Sequence, residues 1–272
     1  MCWKKLVFKQ IQPIHLGKHK HGVINETRIF IPGQTIWGAL VNSYAMENKK
    51  EFNDAKRKFT QISCFFPFIL QDGEGILFPN YKAGDFHLGD KSEKKFRYNF
   101  TDTLVSTAID SSSLGAKDES LHETDFILPK GKEKQSQLYW VGIIKVDKET
   151  EKCLQENELE IKVGGERNYG YGKLKLIEKS KIQEEELNEW NISEDGKIHL
   201  IKGCLLRNYF QFSKKVKFEG ELELLPEIDF FKDDENPKDG ENSTKNADIL
   251  YITPGSKINN MSKLTLIKGK IK

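Results

Sequence analysis

The sequence predicts an α+β fold, and three features of the chain lead to that prediction. An alternating strand and an amphipathic helix come first, and a long stretch of strands and loops follows them. A strand–helix–strand unit then closes residues 1–178, and short apolar strands separated by turns occupy residues 179–272. This order is typical of a ferredoxin-like or RRM-like sheet, here with a long hairpin insertion and a β-rich C-terminal region.

The composition fits a soluble protein with a largely polar surface. The chain has 272 residues, of which 37% are hydrophobic and 31% are charged, and its formal net charge is +2. That balance does not by itself separate nucleic-acid binders from other proteins. Residues 1–50, however, carry eight Lys and Arg side chains against two acidic ones. Their net charge of +6 favours contact with phosphate.

Cysteine usage and the apolar runs predict a reduced, cytoplasmic protein without a metal site. The four cysteines are scattered and form no CxxC pair, so neither zinc nor a disulfide framework is expected. The first ten residues do not resemble a signal peptide, because Lys9 interrupts their apolar run. The longest apolar run, 64–70, contains a proline and is too short to cross a membrane. We therefore expect no cofactor and no membrane partner.

The first elements are a strand, a loop and two helices. Residues 3–11 alternate loosely between apolar and polar side chains, which predicts the first strand. A Gly- and His-rich loop follows and ends in a short apolar strand at 29–31. A Pro-Gly pair then breaks the chain. Apolar residues at helical spacing predict one helix from 34 to about 48 and a second over 51–62.

Strands and loops alone are predicted between residues 65 and 125, where glycines interrupt the apolar runs. Within this stretch, 100–109 and 121–128 are predicted as the arms of a long hairpin around the turn-forming DSSSLGAKD. The hairpin belongs to an insertion at about 96–128. The apolar run 137–146 predicts a strand in the middle of a sheet.

The rest of the chain is predicted to be a short helix followed by strands. The helix covers 147–157, and strands lie on either side of a glycine-rich loop. Three or four further strands follow residue 178. Residues 229–246 contain almost no core-forming side chains after Phe231, so we expect a disordered loop there.

The glycine-rich loop GGERNYGYGKLKL (164–176) is the most informative motif of the chain. A phosphate-binding P-loop needs GxxxxGK[ST] before a helix, and here Leu174 follows Gly172-Lys173 and a strand follows the loop. A dinucleotide fingerprint also needs a helix at this point. Gly–aromatic–Gly before an alternating strand instead partly resembles the RNP1 signature of RNA-binding sheets. A tight turn with aromatic packing is the alternative.

Three motifs together resemble the CRISPR-associated RAMP proteins. FIPGQTIWGALV (30–41) resembles the family's helix-start motif, and GGERNYGYGKLKL resembles its glycine-rich loop, in the family's order and about 130 residues apart. TAIDSSSLGAKDESLHETDFIL (107–128) resembles the hairpin of one branch. That branch is the single-copy subunit at the foot of class 1 effector complexes, closest here to a type III system or a type III-D-derived minimal one.

The resemblance implies a function and a set of site residues. It implies a subunit without catalytic activity that caps the repeat-derived 5′ handle of the crRNA, contacts repeated RAMP backbone subunits and meets target RNA indirectly. The hairpin would be the thumb, which holds the guide RNA and contacts the neighbouring backbone subunit, with Thr107 and Asp110 as its contact point and as further RNA-binding residues. The residues expected to bind RNA are the loop residues Gly164, Gly165, Arg167, Asn168, Tyr169, Gly170, Tyr171, Gly172 and Lys173, the helix start Gln34, Thr35 and Trp37, and the basic residues Lys18, Lys20 and Arg28.

One enzymatic activity and one structural role remain as alternatives. His15, His19 and His21, with Lys18, could cleave precursor crRNA without metal, because imidazoles beside lysines suit acid–base chemistry on a 2′-OH. A mobile basic loop that touches phosphates is the simpler interpretation of that cluster. A metal nuclease would need a carboxylate cluster, and the candidates Asp229, Asp233, Asp234 and Glu235 lie in the segment expected to be disordered. The last alternative is a β-rich assembly protein that does not bind RNA.

Overall fold

The structure is a computed structural model, and it describes residues 2–48, 52–70, 73, 75–193, 197–200, 203–227, 247–258 and 261–271. Its first half contains β1 (Cys2–Gln10), β2 (Gly17–His21), β3 (Ile24–Thr27), α1 (Gly33–Asn48), α2 (Phe52–Lys58), β4 (Phe66–Ile69), β5 (Pro79–Lys82), β6 (Asp85–Leu88), β7 (Lys91–Ser92), α3 (Glu93–Phe100), β8 (Thr101–Ser106), β9 (His122–Ile127), β10 (Leu138–Val146), α4 (Lys148–Lys152), β11 (Glu160–Lys162) and β12 (Lys173–Lys181).

Among its described residues, the second half has one short helix and nine strands. It contains α5 (Glu184–Glu189), β13 (Lys197–Leu200), β14 (Cys204–Leu205), β15 (Tyr209–Gln211), β16 (Phe218–Glu219), β17 (Leu222–Glu227), β18 (Ala247–Ile252), β19 (Lys257–Ile258), β20 (Met261–Ile267) and β21 (Lys270–Ile271). The predicted α+β fold with a β-rich C-terminal half is therefore confirmed.

A five-stranded antiparallel sheet, in the order β11-β12-β1-β10-β4, organises the first half. β1 lies at its centre, paired with β10 on one side and β12 on the other. The helix α1 covers one face of this sheet, because Ile36, Leu40 and Tyr44 recur at helical spacing and are buried. They pack in one core with Leu6 and Phe8 of β1.

The C-terminal half covers part of the other face of that sheet. It consists mainly of a six-stranded sheet, β13-β20-β21-β15-β18-β17, and a three-stranded sheet, β14-β19-β16. Trp3 and Ile143 of the five-stranded sheet share a core with Trp190 and Tyr209. Phe66 stacks on Trp190 with ring centroids 5.8 Å apart. The two halves therefore share a hydrophobic core, and the boundary expected at residue 178 falls inside β12.

The predicted hairpin is present and belongs to a larger sheet. β8 and β9 pair from Thr101↔Ile127 to Ser106↔His122. β3 adds to β9 in parallel, and β2 adds to β3, which gives the order β2-β3-β9-β8. We call this four-stranded sheet the thumb sheet. The Gly- and His-rich segment predicted as a loop thus forms a hairpin that extends the thumb sheet.

Some predicted elements differ from the observed ones. The strand expected at 29–31 is absent, and Ile31 makes only a single bridge to Phe65. The helix α3 lies inside the stretch predicted as strands and loops. It forms because Ser92 caps its start and because Phe96 and Phe100, four residues apart, are both buried. The second predicted helix is shorter, since α2 ends at Lys58. The predicted disordered loop 229–246 lies outside the described residues.

Candidate nucleic-acid interface

The glycine-rich loop between β11 and β12 is a folded turn. Arg167–Tyr169 form one turn of 3-10 helix between Glu166 and Gly170, both at positive φ (53° and 81°). The turn is closed where the Val163 amide donates to the Gly172 carbonyl at 2.9 Å. A Cβ at Gly172, where φ is 97°, would lie 2.3 Å from the Val163 carbonyl oxygen, so only glycine fits there.

The loop is attached to residues 13–15, the segment that follows β1. The Gly172 amide donates to the Pro13 carbonyl at 2.7 Å, and the Gly165 amide donates to the His15 carbonyl at 3.0 Å. At Gly164, where φ is 78°, a Cβ would lie 2.2 Å from the His15 carbonyl oxygen. The close approach that these glycines allow is therefore to the protein's own backbone. RNA contact from this loop must come chiefly from its side chains, since these amides already have acceptors.

The base of the hairpin is attached to the same segment. Ile14 and Ile127 exchange both backbone hydrogen bonds, at 3.0 and 2.7 Å. His15 is buried, and its Nδ1 lies 2.6 Å from the Asp125 carbonyl oxygen. A carbonyl can only accept, so Nδ1 carries the proton. We call residues 13–15 the seam, because the loop and the hairpin are both hydrogen-bonded to it.

Two tyrosines of the loop have different surroundings. Tyr169 is 62% exposed at the outer side of the turn. The Tyr171 ring packs against Phe126 of β9, with centroids 5.2 Å apart and planes inclined by 54°. Burial, with a smaller contribution from Glu166, raises the pKa of Tyr171 above its ordinary value. Tyr169 is thus available to stack on a base, whereas Tyr171 joins the loop to the hairpin.

Arg167 and Asn168 are both exposed on the same turn. The Arg167 Nε donates to the Gly164 carbonyl at 3.2 Å, which holds the side chain against the turn. Its remaining guanidinium donors suit phosphate oxygens. Lys173 follows the loop, and its Nζ lies 2.6 Å from Glu160 Oε2, so its charge is already paired.

A row of side chains on the sheet next to the loop was not predicted. The strand register places Phe68 opposite Tyr139, Tyr139 opposite Lys9, and Lys9 opposite Lys175. Residues directly opposite in antiparallel strands project on the same face, so these four side chains form a continuous row. They lie on the face away from α1, beyond the part that the C-terminal half covers.

This row, Phe68–Tyr139–Lys9–Lys175, combines stacking rings with available charge. The Phe68 and Tyr139 centroids are 6.2 Å apart. Within the described part of the chain, neither Lys9 nor Lys175 has an ion-pair partner. All four side chains are partly exposed. Rings that accept bases, beside ammonium groups that meet phosphates, are the features of a surface that binds single-stranded RNA.

The predicted contact residues of the hairpin organise its tip. The Asp110 carboxylate accepts from the Ser112 amide at 2.8 Å, the Ser113 amide at 3.0 Å and the Ser112 hydroxyl at 2.6 Å. These bonds, the Ser112 hydroxyl first, lower the pKa of Asp110 to about 2. The Thr107 hydroxyl bonds the Ser120 hydroxyl at 2.7 Å. Both side chains therefore hold the turn in one shape.

The three histidines of the catalytic alternative do not form one cluster. His19 and His21 are exposed on β2, with ring centroids 5.9 Å apart. His15 is buried in the seam. Lys18 Nζ lies 3.6 Å from Glu26 Oε1, and Lys20 is exposed.

Arg28 is tied into the junction of the two halves. Its guanidinium donates to Glu223, and the Tyr209 hydroxyl donates to the same carboxylate at 2.7 Å. Burial disfavours the charged form, but Tyr209 and Glu223 outweigh it and raise the pKa of Arg28 above its ordinary value. The charge of Arg28 thus serves an internal ion pair.

The start of α1 packs on the C-terminal half. A Cβ at Gly33 would lie 2.5 Å from the Gly269 Cα. The Trp37 indole donates to the Lys56 carbonyl at 3.1 Å, and Lys268 Nζ lies 3.6 Å from the ring centroid. Gln34 and Thr35, three and two residues before Trp37, are partly exposed. The glycine loop and the start of α1 therefore pack on different segments, 13–15 and 268–269.

Comparison with known proteins identifies the fold. No family model and no curated protein matches this sequence. The structure resembles a chain of the cryo-EM structure of Type III-B Cmr-beta bound to cognate target RNA and AMPPnP, with a TM-score of 0.57 and 15% identity, covering 93% of this chain and 85% of that one. Type III-B Cmr-beta bound to cognate target RNA gives 0.58 and 14%, covering 93% and 86%.

The expected resemblance to a type III CRISPR effector subunit is therefore confirmed at the level of the fold. A crystal structure of a CRISPR protein from Archaeoglobus fulgidus also aligns, at 9% identity over 100% of this chain and 97% of that one. The TM-score of that alignment is 0.42. Among the described residues, none of the helices has the length and apolar character needed to cross a bilayer.

A matched pair of glycine variants tests the seam. Gly164→Ala places a methyl group against the His15 carbonyl, whereas Gly170→Ala meets nothing within 4 Å at a similar φ. We expect Gly170→Ala to cost on the order of 1 kcal/mol of unfolding free energy, from backbone strain alone. Gly164→Ala should cost roughly 1–3 kcal/mol more, from the clash. Urea unfolding of both variants measures this, and equal losses would contradict the close packing of loop and seam.

Proposed function

We propose that this protein is a guide-RNA-binding subunit of a CRISPR effector ribonucleoprotein without catalytic activity of its own. It caps the repeat-derived 5′ handle of the crRNA and anchors the repeated backbone subunits. The observation that carries the proposal is the seam, which holds the glycine loop and the thumb sheet together next to the row of Phe68, Tyr139, Lys9 and Lys175.

Three kinds of contact support a single-stranded RNA partner. Arg167, Lys9 and Lys175 supply positive charge for phosphates. Tyr169, Tyr139 and Phe68 supply rings on which unstacked bases fit. The thumb sheet is hydrogen-bonded to the seam next to these groups and provides a second surface that the RNA contacts. The similar chains belong to type III-B complexes described as bound to cognate target RNA, which agrees with this partner.

The proposal predicts which side chains bind RNA. Arg167→Ala with Tyr169→Ala should weaken binding of labelled repeat-derived RNA at least tenfold, because one charge and one stacking ring are lost. The logarithm of the RNA association constant falls linearly as the logarithm of the salt concentration rises. Lys9→Ala with Lys175→Ala should make this fall less steep by about 1.4, because each lost phosphate contact on a single strand removes roughly 0.7 from the slope. Fluorescence anisotropy over a salt series measures both effects.

Lys148→Ala with Lys152→Ala is the matched control for the lysine pair. These two exposed lysines lie on α4, which follows the far end of β10. Their removal changes the net charge equally but should leave the salt slope unchanged. Equal slopes for the two lysine double variants would show that the sheet row does not contact phosphates. Full affinity of the Arg167/Tyr169 variant would leave the glycine loop as a structural turn.

The protein is expected to bind precursor RNA without cutting it. His15 is buried with its Nδ1 proton directed at a backbone carbonyl, away from the exposed pair on β2, which supports a role without catalysis. Labelled repeat RNA incubated with the protein and EDTA should stay intact on a denaturing gel. Cleavage that disappears in His19→Ala with His21→Ala would instead establish a metal-independent endoribonuclease.

The hairpin tip is the proposed contact with a backbone subunit. Ile109 and Leu114 are 71% and 81% exposed at this tip. Exposed apolar side chains that lie together mark a surface that another protein covers. Ile109→Ser with Leu114→Ser should abolish co-elution with the backbone subunit in gel filtration and leave RNA affinity unchanged. Leu224→Ser, an exposed leucine of the C-terminal half, is the control and should still co-elute. Retained assembly in the tip variant would place the contact elsewhere.

A further inference from the structure

The connection between the thumb sheet and the five-stranded sheet carries lysines that the proposed function does not use. Between β9 and β10 the chain reads LPKGKEKQSQ (128–137). We call residues 129–136 the lysine loop. Glu133 is the one acidic residue of this loop, against three exposed lysines, Lys130, Lys132 and Lys134. The base of the thumb sheet therefore presents a concentrated positive charge.

The backbone of the lysine loop is held in one conformation. The Gly131 amide donates to the Ser136 carbonyl at 2.9 Å, and the Lys132 amide donates to the Asn99 carbonyl at 2.9 Å. The side-chain Oδ1 of Asn99 accepts from the Glu133 amide at 3.0 Å. A Cβ at Gly131 would lie 3.0 Å from the Asn99 Nδ2, so the loop packs closely on the end of α3. The lysines thus project from a fixed backbone, which suits a binding site.

Lys130 lies on the side of the sheet that carries the row of Phe68, Tyr139, Lys9 and Lys175. Lys130 and Gln137 form an antiparallel bridge, and residues opposite each other in such a pair project to the same side. Gln137 comes two residues before Tyr139, and side chains two residues apart on a strand share a face. Lys130 has no ion-pair partner among the described residues, so its charge is available there.

Lys132 is directed to the side of the thumb sheet that the glycine loop contacts. Its Nζ lies 3.6 Å from the Asp102 Oδ1, and the two side chains are 43% and 54% exposed. Asp102 is opposite Phe126 in the β8–β9 pair, and the Phe126 ring packs on Tyr171 of the glycine loop. A solvent-exposed ion pair contributes little free energy. Lys132 can therefore exchange Asp102 for a phosphate.

Lys20 lies on this side of the thumb sheet as well. It is paired with Asn25, and Asn25 is paired with Thr124, two residues before Phe126. Paired residues project to the same side, so Lys20 shares the face of Phe126. Lys20 is exposed. The face that continues from the glycine loop thus carries lysines at both its base and its far strand.

The opposite side of the thumb sheet is richer in carboxylates. Glu123 is opposite Val105 in the β8–β9 pair, which places it on the face away from Phe126. Asp125 and Glu26 alternate onto the same face, and among the described residues Glu26 is the one of the three that is ion-paired. A polyanion is therefore favoured on the Phe126 side and disfavoured on the other.

We propose that the lysine loop and Lys20 bind phosphates of the guide RNA and lead the strand from the row onto the Phe126 side of the thumb sheet. The inference rests on the proposed RNA-binding function and adds the path of the strand to it. The row and the lysine loop then hold successive nucleotides, because Lys130 follows Tyr139 along the same face.

Fluorescence anisotropy with the full chain and repeat-derived RNAs, shortened one nucleotide at a time, tests this path. Lys130→Ala with Lys132→Ala should weaken binding of the full-length RNA roughly tenfold at physiological ionic strength. The salt dependence should become less steep by about 1.4, as for two lost phosphate contacts. Removing the nucleotides that reach the loop should weaken wild-type binding to the same extent. The double variant should lose nothing further when those nucleotides are removed.

Asp102→Asn tests the same site by a gain of affinity. The substitution keeps an acceptor for the Thr103 amide, which donates to the Asp102 Oδ1 at 3.0 Å, and removes the negative charge beside Lys132. RNA binding should tighten roughly twofold, the size of one exposed ion pair. A misfolded variant would not bind more tightly. Unchanged or weaker binding would contradict a phosphate at Lys132.

Lys94→Ala with Lys95→Ala is the matched control for the lysine loop. These exposed lysines lie on α3, which the Arg97–Glu26 ion pair joins to the carboxylate side of the thumb sheet. Their removal changes the net charge equally and should leave affinity and salt dependence unchanged.

Three results would overturn the proposed path. They are equal losses in the Lys130/Lys132 and Lys94/Lys95 variants, wild-type affinity of the Lys130/Lys132 variant, and a Lys130/Lys132 penalty that is the same for RNA of every length. Each leaves the RNA-binding function standing as long as the Arg167/Tyr169 variant binds weakly. No RNA binding by the wild-type protein would overturn both proposals.

Discussion

The candidate interface depends on the backbone carbonyls of the seam. Pro13 and His15 accept hydrogen bonds from Gly172 and Gly165, while Ile14 pairs with Ile127 at the base of the hairpin. The loop and the thumb sheet come from parts of the chain that are far apart in sequence, and this three-residue segment fixes them relative to each other. Glycine at 164 is required because the His15 carbonyl occupies the space of a side chain. Under the proposed function, a rigid joint of this kind holds the loop and the thumb sheet in fixed positions for one strand of RNA.

The C-terminal half determines which part of the five-stranded sheet remains available. Its core residues pack on Trp3, Ile143 and Phe66, and thereby cover one end of the face opposite α1. The other end keeps Lys9, Lys175, Tyr139 and Phe68. The buried ion pair between Arg28 and Glu223 belongs to the same junction, and breaking such a pair by removing one partner is strongly destabilising. The second half therefore both stabilises the first and limits the area of the sheet that remains exposed.

The sequence was sufficient for the elements whose signals are local. The spacing of Ile36, Leu40 and Tyr44 predicted α1, and turn-forming residues between apolar runs predicted the hairpin. It was insufficient where an element forms only by pairing with a strand that is distant in the sequence. The β2–β3 hairpin is stabilised by joining β9, about 100 residues away, and its polar sequence gave no sign of that. The row from Phe68 to Lys175 needs three strand registers at once, although alternation in β10 marks Tyr139 as facing away from the α1 core. The glycine loop could be recognised from its sequence. That its Gly165 and Gly172 amides donate to the seam could not, because the seam lies about 150 residues earlier in the chain.

The most direct test of the central claim is photo-crosslinking of 4-thiouridine-substituted guide RNA to the full chain, with the linked peptides identified by mass spectrometry. If loop, sheet row and thumb sheet form one surface, crosslinks will fall on the peptides that contain Tyr169, Tyr139 and the β8–β9 hairpin. They should disappear together when unlabelled RNA competes. Crosslinks confined to the C-terminal sheets, with the glycine loop unlabelled at saturating RNA, would contradict the account.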